Sequence, residues 1–229
     1  MSFVSVVRVS SLLAVVACGF VGLSACVVSP PSAMGPAIAK LNTAAQQAMA
    51  QGNTVAAVAR LESALELAPT QPELSHNLAA AYVANHNYAQ AATLFEALAQ
   101  KAPEAKAQLT YLMQAAQAHQ QQGNVAYDAL MAQKDNPLPA ECQPSPDALP
   151  TGEDRRLRQQ SPAQLAQVVT THYTAAKQHF GKIVAQPVSD TTASQLDEHK
   201  AIAEILATLD QRLQQTEVVQ ASRLSGGRA

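Results

Sequence analysis

The segment Ile38–Pro103 contains two consecutive copies of one sequence pattern, with a period of 34 residues. Within each copy, apolar residues recur at steps of three and four, which is typical of two amphipathic helices. A unit of this size cannot bury its apolar face alone, so the period predicts stacked helical hairpins. The aligned pairs are Asn53 with Asn87, Ala57 with Ala91, Leu61 with Phe95, and Pro69 with Pro103.

Turn-forming residues separate the two predicted helices of each copy. Gln51-Gly52-Asn53 and Asn85-His86-Asn87 lie at equivalent places. Glycine allows the positive φ that often follows a helix end, and asparagine either tolerates that conformation or caps the next helix. Pro69 and Pro103 then end each unit, because proline cannot continue a helix.

The second copy resembles the tetratricopeptide repeat family. The resemblance rests on Leu78-Ala79, Tyr82, Tyr88, Ala91, Phe95 and Pro103, and the first copy keeps Gly52-Asn53, Ala57, Leu61, Ala64 and Pro69. It implies an all-α fold, a short solenoid of helical hairpins whose inner wall is formed by the first helix of each unit. It also implies a protein or peptide partner bound on that wall, without a cofactor. The wall residues would be Asn42, Gln46, Met49, His76, Ala80, Val83, Met113, Gln117 and Gln120.

A third, degenerate unit is predicted at 109–135, which completes an array over 37–135. Leu109–Gln122 and Val125–Lys134 have helical patterns, and Gly123-Asn124 between them echoes Gly52-Asn53. The spacing from Asn87 is 37 residues rather than 34. Terminal units of such arrays are commonly atypical.

The chain beyond the array divides into a linker, a second helical region and a tail. Residues 136–161 are proline-rich and predict an extended linker. Ser161, followed by proline and then Gln164, starts a helix that is expected to end near Ala185. A second helix should run from Thr192 to about Val219, so that 162–220 forms a helical hairpin and 221–229 a disordered tail. The hairpin could cap the array, pair with a second copy, or stand as a separate module.

The N-terminus has the pattern of a secretory signal peptide. Arg8 precedes the apolar run Leu12–Leu23, and Leu23-Ser24-Ala25-Cys26 resembles the lipobox of bacterial lipoproteins. The resemblance implies removal of residues 1–25, lipidation of Cys26, and a tether over 26–36. Val27 after the cysteine implies sorting to the outer membrane, facing the periplasm. Two alternatives are an uncleaved anchor at Val9–Val28 and plain cleavage after Ala25.

Charge and motifs exclude several classes of function. The chain has a net charge of −2 and no long run of basic residues, so nucleic-acid binding is not expected. The cysteines lack metal-ligand spacing, and no catalytic motif is visible, so neither an enzyme nor a metal site is predicted. His172 and His179 lie about 10.5 Å apart along one helix, too far to share a metal. His199 could join one of them across the hairpin, but partly exposed helix histidines explain the pattern, and packing explains His119.

The function predicted from these observations is that of a lipid-anchored scaffold or adaptor in the bacterial cell envelope, as in the assembly of a pilus, secretion or cell-wall complex. The alternative is a structural spacer that docks through its C-terminal hairpin, by the stripe that includes Phe180 and Leu206.

Overall fold

A computed structural model of the protein describes residues 35–135, 153–186 and 193–226. Within these ranges every regular element is an α-helix, and the predicted all-α class is confirmed. The signal peptide, Cys26, most of the tether and the part of the predicted linker that contains Cys142 lie outside the described residues. None of the helices in the described ranges combines the length and the apolarity needed to cross a bilayer.

The two copies of the repeat form two helical hairpins. Helices α1 (Pro36–Ala50) and α2 (Thr54–Leu67) make the first, and α3 (Pro72–Ala84) and α4 (Tyr88–Lys101) make the second. Pro36 and Pro72 occupy the first turns of α1 and α3, where no backbone donor is needed. Each hairpin therefore starts at a proline and stops just before the next one.

The turns show which residue takes the left-handed conformation. Gly52 has φ +74°, as predicted, and His86 at the equivalent place has φ +61°. The neighbouring asparagines therefore do not need this conformation. Asn53 caps α2 instead, its side chain accepting a hydrogen bond from the Ala56 amide at 3.1 Å.

The two hairpins share one apolar core. Ala45, Ala57, Ala79 and Ala91 are 0% exposed, because small side chains let paired helices approach closely. Phe95 is buried in the same core. Polar bonds join successive units, with the Tyr82 hydroxyl donating to Glu62 Oε1 at 2.6 Å and the Thr54 hydroxyl to Asn85 Oδ1 at 2.8 Å.

The predicted third hairpin is wrong. Residues 105–135 form one continuous 31-residue helix, α5 (Ala105–Asp135), which runs straight through Gly123-Asn124. Gly123 lies directly against the buried ring of Tyr173 from a later helix, so its lack of a side chain serves close packing rather than a turn.

The region after α5 also differs from the prediction. Within the expected linker, α6 (Glu153–Arg158) is helical and buries Leu157. Helix α7 (Pro162–Val184) starts with the predicted capping box between Ser161 and Gln164. Helix α8 (Ala193–Gly226) continues well beyond Val219, so the predicted disordered tail is helical as far as Gly226.

A second core joins these C-terminal helices to the array. Helix α5 contributes Ala115 and Ala118 to the first core, and Ala126 and Leu130 to the second. Tyr173 and Phe180 of α7 and Leu209 of α8 are 0% exposed in the second core. Of the three possibilities left open by the sequence, the structure therefore shows the C-terminal helices packed on the end of the array.

Candidate functional site

The first helices of the repeats share one face. Asn77 of α3 donates a hydrogen bond to Asn42 Oδ1 of α1 at 2.9 Å. His76 of α3 makes edge-on ring contacts with Tyr111 of α5, at 5.9 Å between centroids, and with Phe95 of α4, at 6.1 Å. We call the exposed residues along α1, α3 and α5 the inner wall.

The structure divides the predicted wall residues into two groups. Gln46, Ala80 and Gln117 are exposed, and they occupy equivalent places in successive units. Val83 is 38% exposed. The other five are partly buried, and several have structural partners: Met49 packs on the first core and Met113 on the second. These five are Asn42, Met49, His76, Met113 and Gln120.

A second polar feature lies where α4, α5 and α7 meet. The Nε2 atoms of His119 and His179 lie 3.0 and 2.7 Å from the same oxygen, Oε1 of Glu96. The Nδ1 atom of His119 lies 2.8 Å from Nδ1 of His172. The rings of His119 and His179 are stacked, with centroids 5.8 Å apart. We call these four residues the histidine cluster.

Burial and hydrogen bonding set the charge state of the histidine cluster. Burial lowers the pKa of His172 to about 4, and it also holds the pKa of His119 below its ordinary value despite the neighbouring carboxylate. Burial alone would raise the pKa of Glu96, but hydrogen bonds from His119 and His179 outweigh it, so the pKa is lowered. Near pH 7, Glu96 is therefore an ionised carboxylate, and His119 and His172 are neutral.

The spacing of these residues in the sequence does not reveal the histidine cluster. His172 and His179 are indeed too far apart to meet at one atom, but each meets a different residue from another helix. His179 was expected to be partly exposed, but it is only 8% exposed, and its Nε2 atom bonds to Glu96. His119 does pack as expected, and it is also hydrogen-bonded on both ring nitrogens. His199 is not part of the cluster.

Comparison with protein families identifies the repeats. A tetratricopeptide repeat family model matches residues 48–116, from the end of α1 to the middle of α5. This segment is a tetratricopeptide repeat array. Tetratricopeptide repeats serve as protein-interaction modules, so this protein has a protein–protein interaction role. The match ends before α6, α7 and α8. It includes one of the four residues of the histidine cluster, Glu96 on α4, and ends just before His119 on α5.

Other comparisons add little. No curated protein matches the chain. A solved structure from Bacteroides ovatus ATCC 8483, provisionally assigned as a protein binding protein, is 18% identical over 74% of this chain and 98% of that chain, with a TM-score of 0.18. A superposition this poor supports no argument about fold or function.

Proposed function

We propose that this tetratricopeptide repeat protein is a lipid-anchored adaptor of the bacterial cell envelope that holds an extended peptide segment of its partner. The observation that carries the proposal is the exposure of Gln46, Ala80 and Gln117 at corresponding places on α1, α3 and α5. Their spacing along the array gives successive contact points for one extended chain.

The chemistry of the inner wall favours a neutral, polar peptide. Amide side chains both donate and accept hydrogen bonds, as a peptide backbone does. Gln46 and Gln117 flank Ala80, whose small side chain allows a backbone to come close, and Val83 adds an apolar contact. Lysine and arginine are absent from the predicted wall residues. An acidic peptide end would therefore have no charged partner among them.

The lipid anchor rests on the sequence around Cys26. Leu23-Ser24-Ala25-Cys26 follows an apolar run, as in bacterial lipoprotein precursors. Several acyl chains at about 0.8 kcal/mol per buried methylene would hold the protein at a bilayer permanently. The proposed location is the periplasmic face of the outer membrane.

Site-specific photo-crosslinking tests the inner wall. A photo-reactive amino acid would replace Gln46, Ala80 or Gln117, with control positions at Val55 on α2 and Thr93 on α4, both exposed on second helices. The proposal predicts that one partner is crosslinked from all three wall positions and from neither control. The identified partner, once purified, should bind more weakly when Gln46 and Gln117 are changed to glutamate.

The same experiment separates the adaptor from the structural spacer. The hairpin stripe that a spacer would dock through is already used within the molecule, since Phe180 is 0% exposed and Leu206 packs on the second core. A spacer would have to dock through another face of α8, such as that of Val218, which is 65% exposed. With the photo-reactive amino acid also placed at Val218, crosslinks from this position and from none of the three wall positions would refute the adaptor and favour the spacer.

Intact mass tests the anchor. Protein extracted from membranes should begin at Cys26 and carry a diacylglycerol and an acyl chain. A Cys26→Ala variant should lack this modification and stay uncleaved. Wild-type protein that retains Met1, or that begins at Cys26 without added mass, would refute the anchor and leave the interaction surface as a separate question.

A further inference from the structure

We propose that Glu96, His119 and His179 form a binding site for a divalent transition metal, with Zn²⁺ as the best match. The three residues come from α4, α5 and α7, so the ion would join the second repeat to the C-terminal helices. This inference is independent of the inner wall and of the lipid anchor.

The donor atoms are of the right kind and nearly at the right distances. Two imidazole nitrogens and one carboxylate oxygen are a ligand set that Zn²⁺ accepts, with a fourth position left for water or another ligand. The three donor atoms lie within 4.8 Å of one another. In a tetrahedral site with bonds of 2.0–2.1 Å, neighbouring donors are ~3.3 Å apart. The separations of 3.0 and 2.7 Å from Glu96 Oε1 would need to open by about 0.3 and 0.6 Å to reach that value. The Nε2 atoms of His119 and His179 lie within 4.8 Å of each other, and a small rotation of the side chains would bring them to the same spacing.

The charge of the histidine cluster favours a cation. Among the described residues, the ion-pair partners of the Glu96 carboxylate are the two histidines, and neither lysine nor arginine is among them. Both contacts are imidazoles, which carry a positive charge only when they are protonated, so the carboxylate has no permanent positive charge beside it in this part of the chain. A bound divalent cation would supply the missing positive charge and use the imidazole nitrogen as a ligand.

His172 is placed to hold the ring of His119 in a metal-binding orientation through a hydrogen bond to its other nitrogen. A histidine that binds a metal through Nε2 carries its proton on Nδ1 and normally donates it to a neighbouring acceptor. The Nδ1 atom of His172 lies 2.8 Å from Nδ1 of His119 and can accept that proton when His172 is neutral with its own proton on Nε2. Metal binding would thus shift the neutral tautomers without requiring a change in their charge.

Access to the site comes from the side of Glu96. The side chains of His119 and His179 are 12% and 11% exposed, whereas that of Glu96 is 34% exposed. An ion could enter past the carboxylate and be held by two imidazoles whose orientation is set by core packing. The fourth position would then face outwards, where water or a partner's side chain could complete the coordination.

Metal titration of the untagged full-length chain tests the site. Protein stripped with EDTA and kept in detergent would be titrated calorimetrically with Zn²⁺. It would also be titrated with Co²⁺, whose visible absorption reports tetrahedral coordination. We expect one Zn²⁺ per chain, with a dissociation constant below about 1 µM, and no comparable binding of Mg²⁺, which prefers oxygen ligands. Absence of Zn²⁺ binding by the folded wild-type chain would overturn the proposal.

Variants locate the binding. Glu96→Gln keeps a hydrogen-bond acceptor of the same shape but is a poor metal ligand, so the fold should persist while affinity falls by more than about 100-fold. His179→Ala should lose binding to the same extent, with far-ultraviolet circular dichroism as the check on folding. His86→Asn is the matched control: His86 is exposed and has positive φ, which asparagine tolerates. Unchanged binding by folded Glu96→Gln would show that the metal lies elsewhere and overturn the proposal.

A His172→Ala variant tests the positioning role. We expect affinity to fall by about 10–100-fold while the Co²⁺ spectrum keeps its tetrahedral form, because the ligands themselves remain. Unchanged affinity would show that His172 does not support the ligand.

Discussion

A single added methyl group at Gly123 should destabilise the protein. Gly123 lies within α5, and a Cβ atom there would stand 2.4 Å from both Cδ1 and Cε1 of the Tyr173 ring. Ordinary carbon–carbon contacts are about 3.5–4.0 Å. The ring cannot simply swing away, because Tyr173 is 0% exposed and its hydroxyl bonds to Asn124 Oδ1 at 2.9 Å and to Arg212 at 3.0 Å.

The expected magnitude follows from three effects. Alanine in a helix interior is favoured over glycine by ~1 kcal/mol. Overpacking a filled core costs ~1–3 kcal/mol, and disturbing the two hydroxyl hydrogen bonds of Tyr173 costs ~1 kcal/mol each. Together these effects lower the free energy of unfolding by about 3 kcal/mol. For a domain of this size, that loss lowers the melting temperature by ~6–12 °C.

Gly181 supplies the matched control for this measurement. It lies in α7 and is exposed, and a Cβ atom there would meet nothing within 4 Å. Gly181→Ala should therefore raise the free energy of unfolding by ~0.5–1 kcal/mol. Urea unfolding of both variants would be followed by circular dichroism at 222 nm. If Gly123→Ala is as stabilising as Gly181→Ala, the close contact with Tyr173 is not what requires glycine. A Tyr173→Leu background should remove most of the cost of Gly123→Ala.

Three further predictions concern pH, a turn and a cap. In protein stripped of metal, the free energy of unfolding should fall by on the order of 2 kcal/mol between pH 6.5 and 4. The reason is that burial keeps the pKa of His172 at about 4 in the folded state, so the unfolded chain binds more protons in that window. The free energy of unfolding, measured in urea at several pH values, should depend less on pH in His172→Gln. An unchanged pH dependence would contradict this. Gly52→Ala should cost ~1 kcal/mol because φ is +74°, whereas His86→Gly, at the equivalent place with φ +61°, should stabilise by ~0.5–1 kcal/mol in the same assay. Ser161→Ala should cost ~1 kcal/mol in thermal melts, because it removes the hydroxyl that accepts a hydrogen bond from the backbone amide of Gln164 at 3.3 Å. Ser161→Thr keeps the hydroxyl and should cost less. Equal losses in the two variants would contradict the capping role.

The repeat array was predictable from sequence because its signals are local. Apolar spacing of three and four residues defines helices, and a 34-residue period shows that one hairpin follows another. The conformation of Gly52 and the capping box at Ser161 likewise depend on a few adjacent residues, and both are confirmed. The two alanine-rich hairpins pack mainly on their neighbours in the chain, so local patterns were sufficient there.

The local sequence does not determine the backbone conformation of Gly123-Asn124. The same dipeptide type forms a turn at Gly52-Asn53 but lies inside a continuous helix in α5. Glycine is compatible with both, and the choice is made by α7, which takes the place of a partner helix and presses Tyr173 against the bare backbone. The unpredicted helix α6 is similar, since Leu157 is buried only because the second core exists.

The histidine cluster depends even more fully on the tertiary structure. Glu96, His119 and His179 are separated by 23 to 83 residues and belong to three helices. A sequence pattern compares residues on one helix, and on that basis His172 and His179 correctly appear too distant to meet. Packing of α7 against α4 and α5 instead gives each of them a different partner. The sequence by itself thus determined the helices and the repeat, whose causes are local, whereas the burial, the charge state and the convergence of these side chains exist only once distant helices are packed together.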